Sequence, residues 1–210
     1  MRARRIARVV APLTLVAAVA VTSAGVAGAA VAAQAAPGKE VASFIRSEWW
    51  PQAQEEVGFP TPALGKVVCP KSVPAVSGDP ESTLSDALAD LAAGDVAPTI
   101  DAASGVFTCV GRLDGQPLLI GGAINEAGGA EFRTASLILD PDRLADSVVD
   151  EFADQVGGDA DVTCSSRDII VAQPDVAVRC KVVAADGTKG VSRVVLDGSA
   201  QIVSVDFRRK

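Results

Sequence analysis

The clearest hydrophobic pattern in the chain lies in its last third. From Asp140-Pro141 onward, Leu144, Val148 and Phe152 recur every four residues, which places them along one face of an α-helix. Asp140 can cap the free amides of the first turn, Pro141 suits the first helical position, and Gly157-Gly158 stops the helix. The period then shortens. Asp161-Val162-Thr163-Cys164, an alternating run over residues 176–180, and apolar-rich runs over 191–196 and 202–207 read as strands. Asp186-Gly187 and Asp197-Gly198 separate the later runs, and an Asp-Gly pair between β-rich segments signals a hairpin. The predicted order is α-β-β-β-β.

The same marks occur earlier. Val41, Phe44 and Ile45 give a helical pattern, followed by Val67-Val68-Cys69-Pro70 and then Val106-Phe107-Thr108-Cys109. Asp114-Gly115 follows Cys109 much as Asp186-Gly187 follows Cys180, and both segments close with a strand holding a phenylalanine, Phe132 and Phe207. This is an internal repeat. The main departure is the cysteine interval, 40 positions in the first copy and 16 in the second. Residues 78–105 hold the surplus, where Asp79-Pro80 caps a helical insertion around 79–93 with Leu84, Leu88 and Leu91 on one face. The fold class expected is therefore α+β: two tandem modules, residues 36–139 and 140–210, each a helix packed on a small antiparallel sheet. Gly121-Gly122 and Gly128-Gly129 fall between the third and fourth strands of the first copy and read as loop and bulge glycines.

Residues before position 36 follow another rule. Arg2, Arg4, Arg5 and Arg8 precede an uncharged run over 9–33 that ends in Ala33-Gln34-Ala35, with Pro37 behind it. A cationic start, an apolar run and small residues at the cleavage positions make a secretory signal, residues 1–35, cut after Ala35. An uncleaved anchor is the rival, because about 20 apolar residues suffice to span a bilayer. The Ala, Gly, Ser and Thr content of the run favours cleavage, and no membrane insertion is expected afterwards.

Cleavage changes the charge. It removes four of the 19 basic residues and none of the 26 acidic ones, leaving a net charge of −11. Such a surface repels phosphate backbones and anionic lipid heads, and along the chain no basic cluster exceeds Arg208-Arg209-Lys210. Nucleic acid is not an expected partner.

All four cysteines lie in the mature chain, and an even count in an oxidising compartment reads as two disulfides. Of the three possible pairings, the repeat selects Cys69–Cys109 and Cys164–Cys180, each tying the first strand of a module to the second. Bridges of these lengths contribute roughly 3 to 4 kcal/mol each by loop-closure entropy, comparable to the whole stability of a small module. They are staples; spacings of 40 and 16 in a chain with no histidine fit no zinc site.

The helix, the strand ending in Val-x-Cys, the second cysteine strand, the Asp-Gly turn and the two further strands together resemble the secreted actinobacterial domain family of unknown function catalogued as DUF four-three-three-three. The resemblance covers residues 143–207 best, with Cys164 and Cys180 matching the family's cysteine pair, while 40–139 is similar to a diverged copy. It implies a compact cell-envelope module, often behind a signal or lipoprotein anchor, with no known chemistry.

Composition excludes more than it selects. Without His or Tyr, neither nucleophile-histidine machinery nor a phenolic acid can be built, and no cofactor, metal or enzymatic activity is expected. Glu55-Glu56 and Asp150-Glu151 are adjacent helix residues that do not face each other across a substrate. The one hint of recognition is Trp49-Trp50-Pro51: neighbouring positions of a regular helix should bury one ring and leave the other at least partly exposed, a candidate contact for a partner, whereas a deformation of the helix at Pro51 would bury both in a chain that needs its few large side chains for packing. Two functions stay open. One is a non-catalytic secreted or envelope-associated module that binds an extracellular protein, peptide or glycan. The other is a secreted inhibitor of an extracellular hydrolase, since tandem helix-plus-sheet modules with one disulfide each look, in architecture only, like the β-lactamase inhibitory proteins; residues 125–130 are its nearest candidate loop. The signal reading has a direct check: N-terminal sequencing of the exported protein should begin at Ala36, and a chain starting at Met1 would establish the anchor.

Overall fold

The structure, a computed structural model, describes residues 14–17, 35–93 and 95–209. In chain order its elements are β1 (Thr14–Ala17), β2 (Ala36–Pro37), α1 (Gly38–Phe44), a π-helical turn (Ile45–Trp49), α2 (Trp50–Val57), β3 (Ser72–Val73), α3 (Pro80–Ala93), β4 (Thr99–Ile100), β5 (Phe107–Leu113), β6 (Gln116–Ile124), β7 (Ala130–Thr134), β8 (Leu137–Leu139), α4 (Pro141–Gln155), β9 (Ala160–Thr163), β10 (Ile170–Ala172), β11 (Val178–Ala184), β12 (Lys189–Leu196) and β13 (Ile202–Arg209). They form mixed α+β structure with small antiparallel sheets. The chain divides between Ser136 and Leu137 into two compact units. The boundary expected after residue 139 moves forward because β8 pairs with β10 and so belongs to the second unit.

In the second unit the helix forms as its sequence dictates. The Asp140 carboxylate accepts from the amides of Asp142 (2.9 Å) and Arg143 (3.3 Å), and Leu144, Val148 and Phe152 are buried along one face. They pack on a meander of order β13-β12-β11-β9, where Cys180, Val194 and Leu196 fill the core and Phe207 meets Phe152 edge to face at 5.1 Å. Asp186-Gly187 turns β11 into β12 and Asp197-Gly198 turns β12 into β13, with the Asp197 carboxylate accepting from the amides of Ser199 (2.8 Å) and Gln201 (2.9 Å).

One helix covers one face, so the other face of this sheet meets solvent. Strand alternation sends Arg179, Lys181, Lys189, Arg193 and Arg208 to it, all exposed. The expectation of no basic cluster beyond the C-terminal tripeptide is thereby corrected: residues up to 29 positions apart become neighbours through strand pairing, which a linear reading cannot register.

The first unit has a sheet of order β1-β7-β6-β5-β4. Helices lie on both of its faces. The insertion expected at 79–93 is α3, which buries Leu84 and packs Leu88 and Leu91 over Val110, Leu119 and Ala123, forming a full layer on that face. On the opposite face Phe44 and Trp49 stack on Phe132, at 5.7 Å and 6.1 Å. Asp114-Gly115 makes the β5–β6 hairpin with both residues at positive φ, 49° and 73°, the conformation that favours Asp-Gly in two-residue turns. The strand expected at Val67-Val68-Cys69 is reduced to one bridge, Val68 to Val110.

Gly121-Gly122 is not in a loop; it sits in the middle of β6. The reason is steric. Gly122 lies between Phe107 on β5 and Phe132 on β7, whose rings meet edge to face at 6.1 Å. A Cβ there would lie 2.5 Å from the Phe107 ring, and one on Gly121 would lie 2.9 Å from Leu91 of α3. Gly128-Gly129, by contrast, is in the β6–β7 turn as expected.

Both disulfides have the expected connectivity, Cys69–Cys109 and Cys164–Cys180. Each continues an antiparallel register by one step, the first from the pair Val68 and Val110, the second from Thr163 and Lys181. Of the segment read as a signal, Thr14–Ala17 lies as β1 along the edge of β7; its cleavage site falls at the border of the described residues. No helix among the described residues is long and apolar enough to cross a membrane.

The crowding at β6 yields an expected outcome. Gly122→Ala should cost about 1 to 3 kcal/mol through the displaced rings, while Gly198→Ala, whose added Cβ meets nothing within 4 Å, should stay within about 0.5 kcal/mol. Urea denaturation of the two variants beside the parent measures both.

Candidate functional site

The second unit contains a cleft of about 450 Å³, within the size range of small-molecule sites. Phe152, Val156 and Gly157 from the end of α4 form one wall, the β11–β12 hairpin forms another through Val182, Ala184, Asp186 and Lys189, and Phe207 and Arg209 close it from β13. The same residues explain its shape. Gly157 and Gly158, at φ 83° and 91°, carry the chain away from the helix without side chains, and Asp186 of the β11–β12 turn lines the cleft beside them. Val156 at the mouth is half exposed.

The cleft is apolar within and charged at the rim. Lys189, Arg208 and Arg209 stand against Asp159 and Asp186. Asp186 serves the turn: the Thr188 amide donates to its carboxylate at 2.8 Å. That bond first, then the Thr188 hydroxyl and the nearby Arg209 charge, hold its pKa below the usual carboxylate value. It stays ionised and cannot act as a proton donor near neutrality. Arg208 is engaged with Asp206 at 2.9 Å, which leaves Lys189 and Arg209 as the rim cations without a carboxylate within ion-pairing distance among the described residues. The arrangement can enclose an apolar body and neutralise one negative group.

A second unusual group lies in the first unit. Glu131 on β7 is 1% exposed. Arg133 donates to its Oε1 from Nε at 3.2 Å and reaches Glu81 of α3 at 3.3 Å, tying the strand to the helix. Its Oε2 has no partner among the described residues. Burial raises the pKa of Glu131, and Arg133 only partly offsets this. No group of His, Cys, Asp or Glu among the described residues is placed to hold a metal ion.

The sequence-predicted residues fare unequally. The four cysteines are bonded to each other and none is free. Trp49 and Trp50 are both buried, each 1% exposed, so the expected exposed ring is corrected. The π-helical turn Ile45–Trp49 breaks the regular 100° phase between neighbours, letting Trp49 face Phe132 while Trp50 turns to the segment after α2, where its indole N–H donates to the Pro62 carbonyl at 3.3 Å. Gln54 donates to the carbonyls of Thr61 and Pro62 and holds that segment over the ring. Glu55-Glu56 and Asp150-Glu151 stay on outer helix faces, Glu151 accepting a bond from Gln155. The loop at 125–130 bonds to itself, the Asn125 side chain accepting from the Gly129 amide at 2.7 Å. The cleft was missed because its walls come from three separated segments; the Asp-Gly turn following a Gly-Gly helix stop was its only linear trace.

No family model, curated protein or solved structure matches the chain.

Glu131 sets a pH dependence of opposite sign to the usual carboxylate. Because the folded state holds its proton more tightly than the unfolded state, stability attributable to this group falls as pH rises above about 4.5. Relative to Glu131→Gln, the parent protein should therefore lose stability between pH 4 and pH 7, read as a fall in its urea midpoint relative to that of the variant.

Proposed function

We propose that the chain is an exported, non-catalytic binding protein of two tandem modules, and that the second module takes a small apolar acid into the cleft beside the Asp186-Gly187 turn. Export is supported by the cationic and apolar N-terminus and by two disulfides in a small protein, which suit an oxidising compartment. The tandem reading is supported by the equivalent places of the two disulfides, each one register step beyond a pairing between the first strand and the second. Release of residues 1–35 would remove β1 and open the edge of β7.

The observation that carries the ligand reading is the pairing of an apolar interior with Lys189 and Arg209 at its mouth. Burying the body of the ligand supplies the driving force, and the cations select an anionic head over a cationic one. Isothermal titration of the exported protein with decanoate should show one-to-one binding with a negative heat-capacity change. Decyltrimethylammonium should bind at least about tenfold more weakly, and Lys189→Ser with Arg209→Ser should erase that preference. Equal binding of both amphiphiles to the parent would overturn the acid specificity, and binding of neither would overturn the site.

A further inference from the structure

The open face of the β13-β12-β11-β9 sheet carries a charge of the wrong sign for its protein. Five cations share it, Arg179 and Lys181 on β11, Lys189 and Arg193 on β12, and Arg208 on β13. Arg208 is paired with Asp206. The other four have no carboxylate within ion-pairing distance among the described residues, although the whole chain has 26 acidic residues to offer. Arg179 and Arg193 are directly opposite each other, a placement that destabilises a sheet unless something neutralises it, and Asp206, opposite Arg193 on its other side, is engaged by Arg208. Lys181 lies two residues on from Arg179, roughly 6.6 Å along the strand, and Val183, Val191 and Val195 fill the positions between the cations. Two acids share the face, Asp206 opposite Arg193 and Asp161 opposite Val183, so the cations outnumber the acids five to two; Asp142, Asp146, Asp150 and Asp154 lie on α4, which packs against the other face.

We propose that this face binds a linear, single-chained polyphosphate. Two guanidinium groups side by side suit phosphate oxygens, which they can grip in pairs, better than isolated ammonium groups would. The dimensions favour a narrow partner. Four strands span only about 15 Å, and beyond a Debye length of about 10 Å the acid excess of the chain takes over, so a thin polyanion meets the cations alone while an extended anionic membrane meets both signs. The face presents valines and no exposed aromatic or leucine side chain to insert into a bilayer, and no aromatic ring on which nucleic-acid bases could stack. Lys189 and Arg208 also line the cleft, so the inference is carried by Arg179, Lys181 and Arg193, which do not.

Inorganic polyphosphate is the probe, titrated against the labelled exported protein by fluorescence anisotropy. It should bind, with log K falling against log salt at a slope of about −3, as four or five released counterions on a single strand require. Arg179→Ser with Arg193→Ser should weaken binding at least about tenfold, and Arg179→Lys with Arg193→Lys, which keeps the charge and loses the paired grip, should fall between that variant and the parent; thermal unfolding of each verifies the fold. Polyglutamate of equal charge should bind more weakly, and a mixed-sequence oligonucleotide no more tightly than polyphosphate. Equal affinity for polyglutamate, tighter binding of the oligonucleotide or of phosphatidylglycerol vesicles, or a serine variant that binds like the parent would each overturn the proposal.

Discussion

A single helix can dry only one face of a sheet, and the two units of this protein meet that constraint in different ways. In the first unit α3 supplies a second helical layer, so β6 runs through the core with both faces covered and Leu118, Leu119 and Ile120 all fully buried. In the second unit α4 stands alone, and every second residue of β11, β12 and β13 is left to solvent. The meander and the disulfide position are alike in both; what differs is the number of helices available to remove water from the sheet.

That difference propagates into the side chains. A strand covered on both faces must bring helix and aromatic layers close together, and at Gly121-Gly122 the backbone gives up its side chains so that Leu91 on one face and the Phe107 and Phe132 rings on the other can reach it. A strand covered on one face alternates between a core side and a solvent side that can carry charge, which is how Arg179 and Lys181 flank Cys180. The cleft arises at the same border, where α4 ends before the β11–β12 hairpin does and the last apolar residues of the sheet are left without a full cover.

The buried polar groups show where this arrangement is under tension. Glu131 of β7 is buried with one oxygen satisfied by Arg133, and neither its other oxygen nor the buried Trp49 indole N–H has a partner among the described residues. Both sit in the first unit; in the second, the Ser192 hydroxyl on β12 is likewise fully buried with no partner among the described residues. The Asp186 and Asp197 side chains of that unit accept from turn amides and stabilise its chain reversals.

Local signals in the sequence determined α4, with its Asp140 cap and four-residue stripe, the three Asp-Gly hairpins, the helix at Pro80–Ala93 and, through the repeated spacing, the partners of all four cysteines. Each of these depends on residues within a few positions of one another, or on a register that the repeat displays twice. What only the tertiary structure decided is what each surface faces. Trp49 and Trp50 looked like one core residue and one contact residue because a regular helix rotates its neighbours apart; the π-helical turn and the returning segment at Thr61-Pro62 bury both. Gly121-Gly122 looked like a loop because the two layers that press on it come from residues 44–49, 84–91 and 107, distant in sequence. The cationic face was hidden for the same reason: its members are spread over three strands, and charge is additive in space, not along the chain.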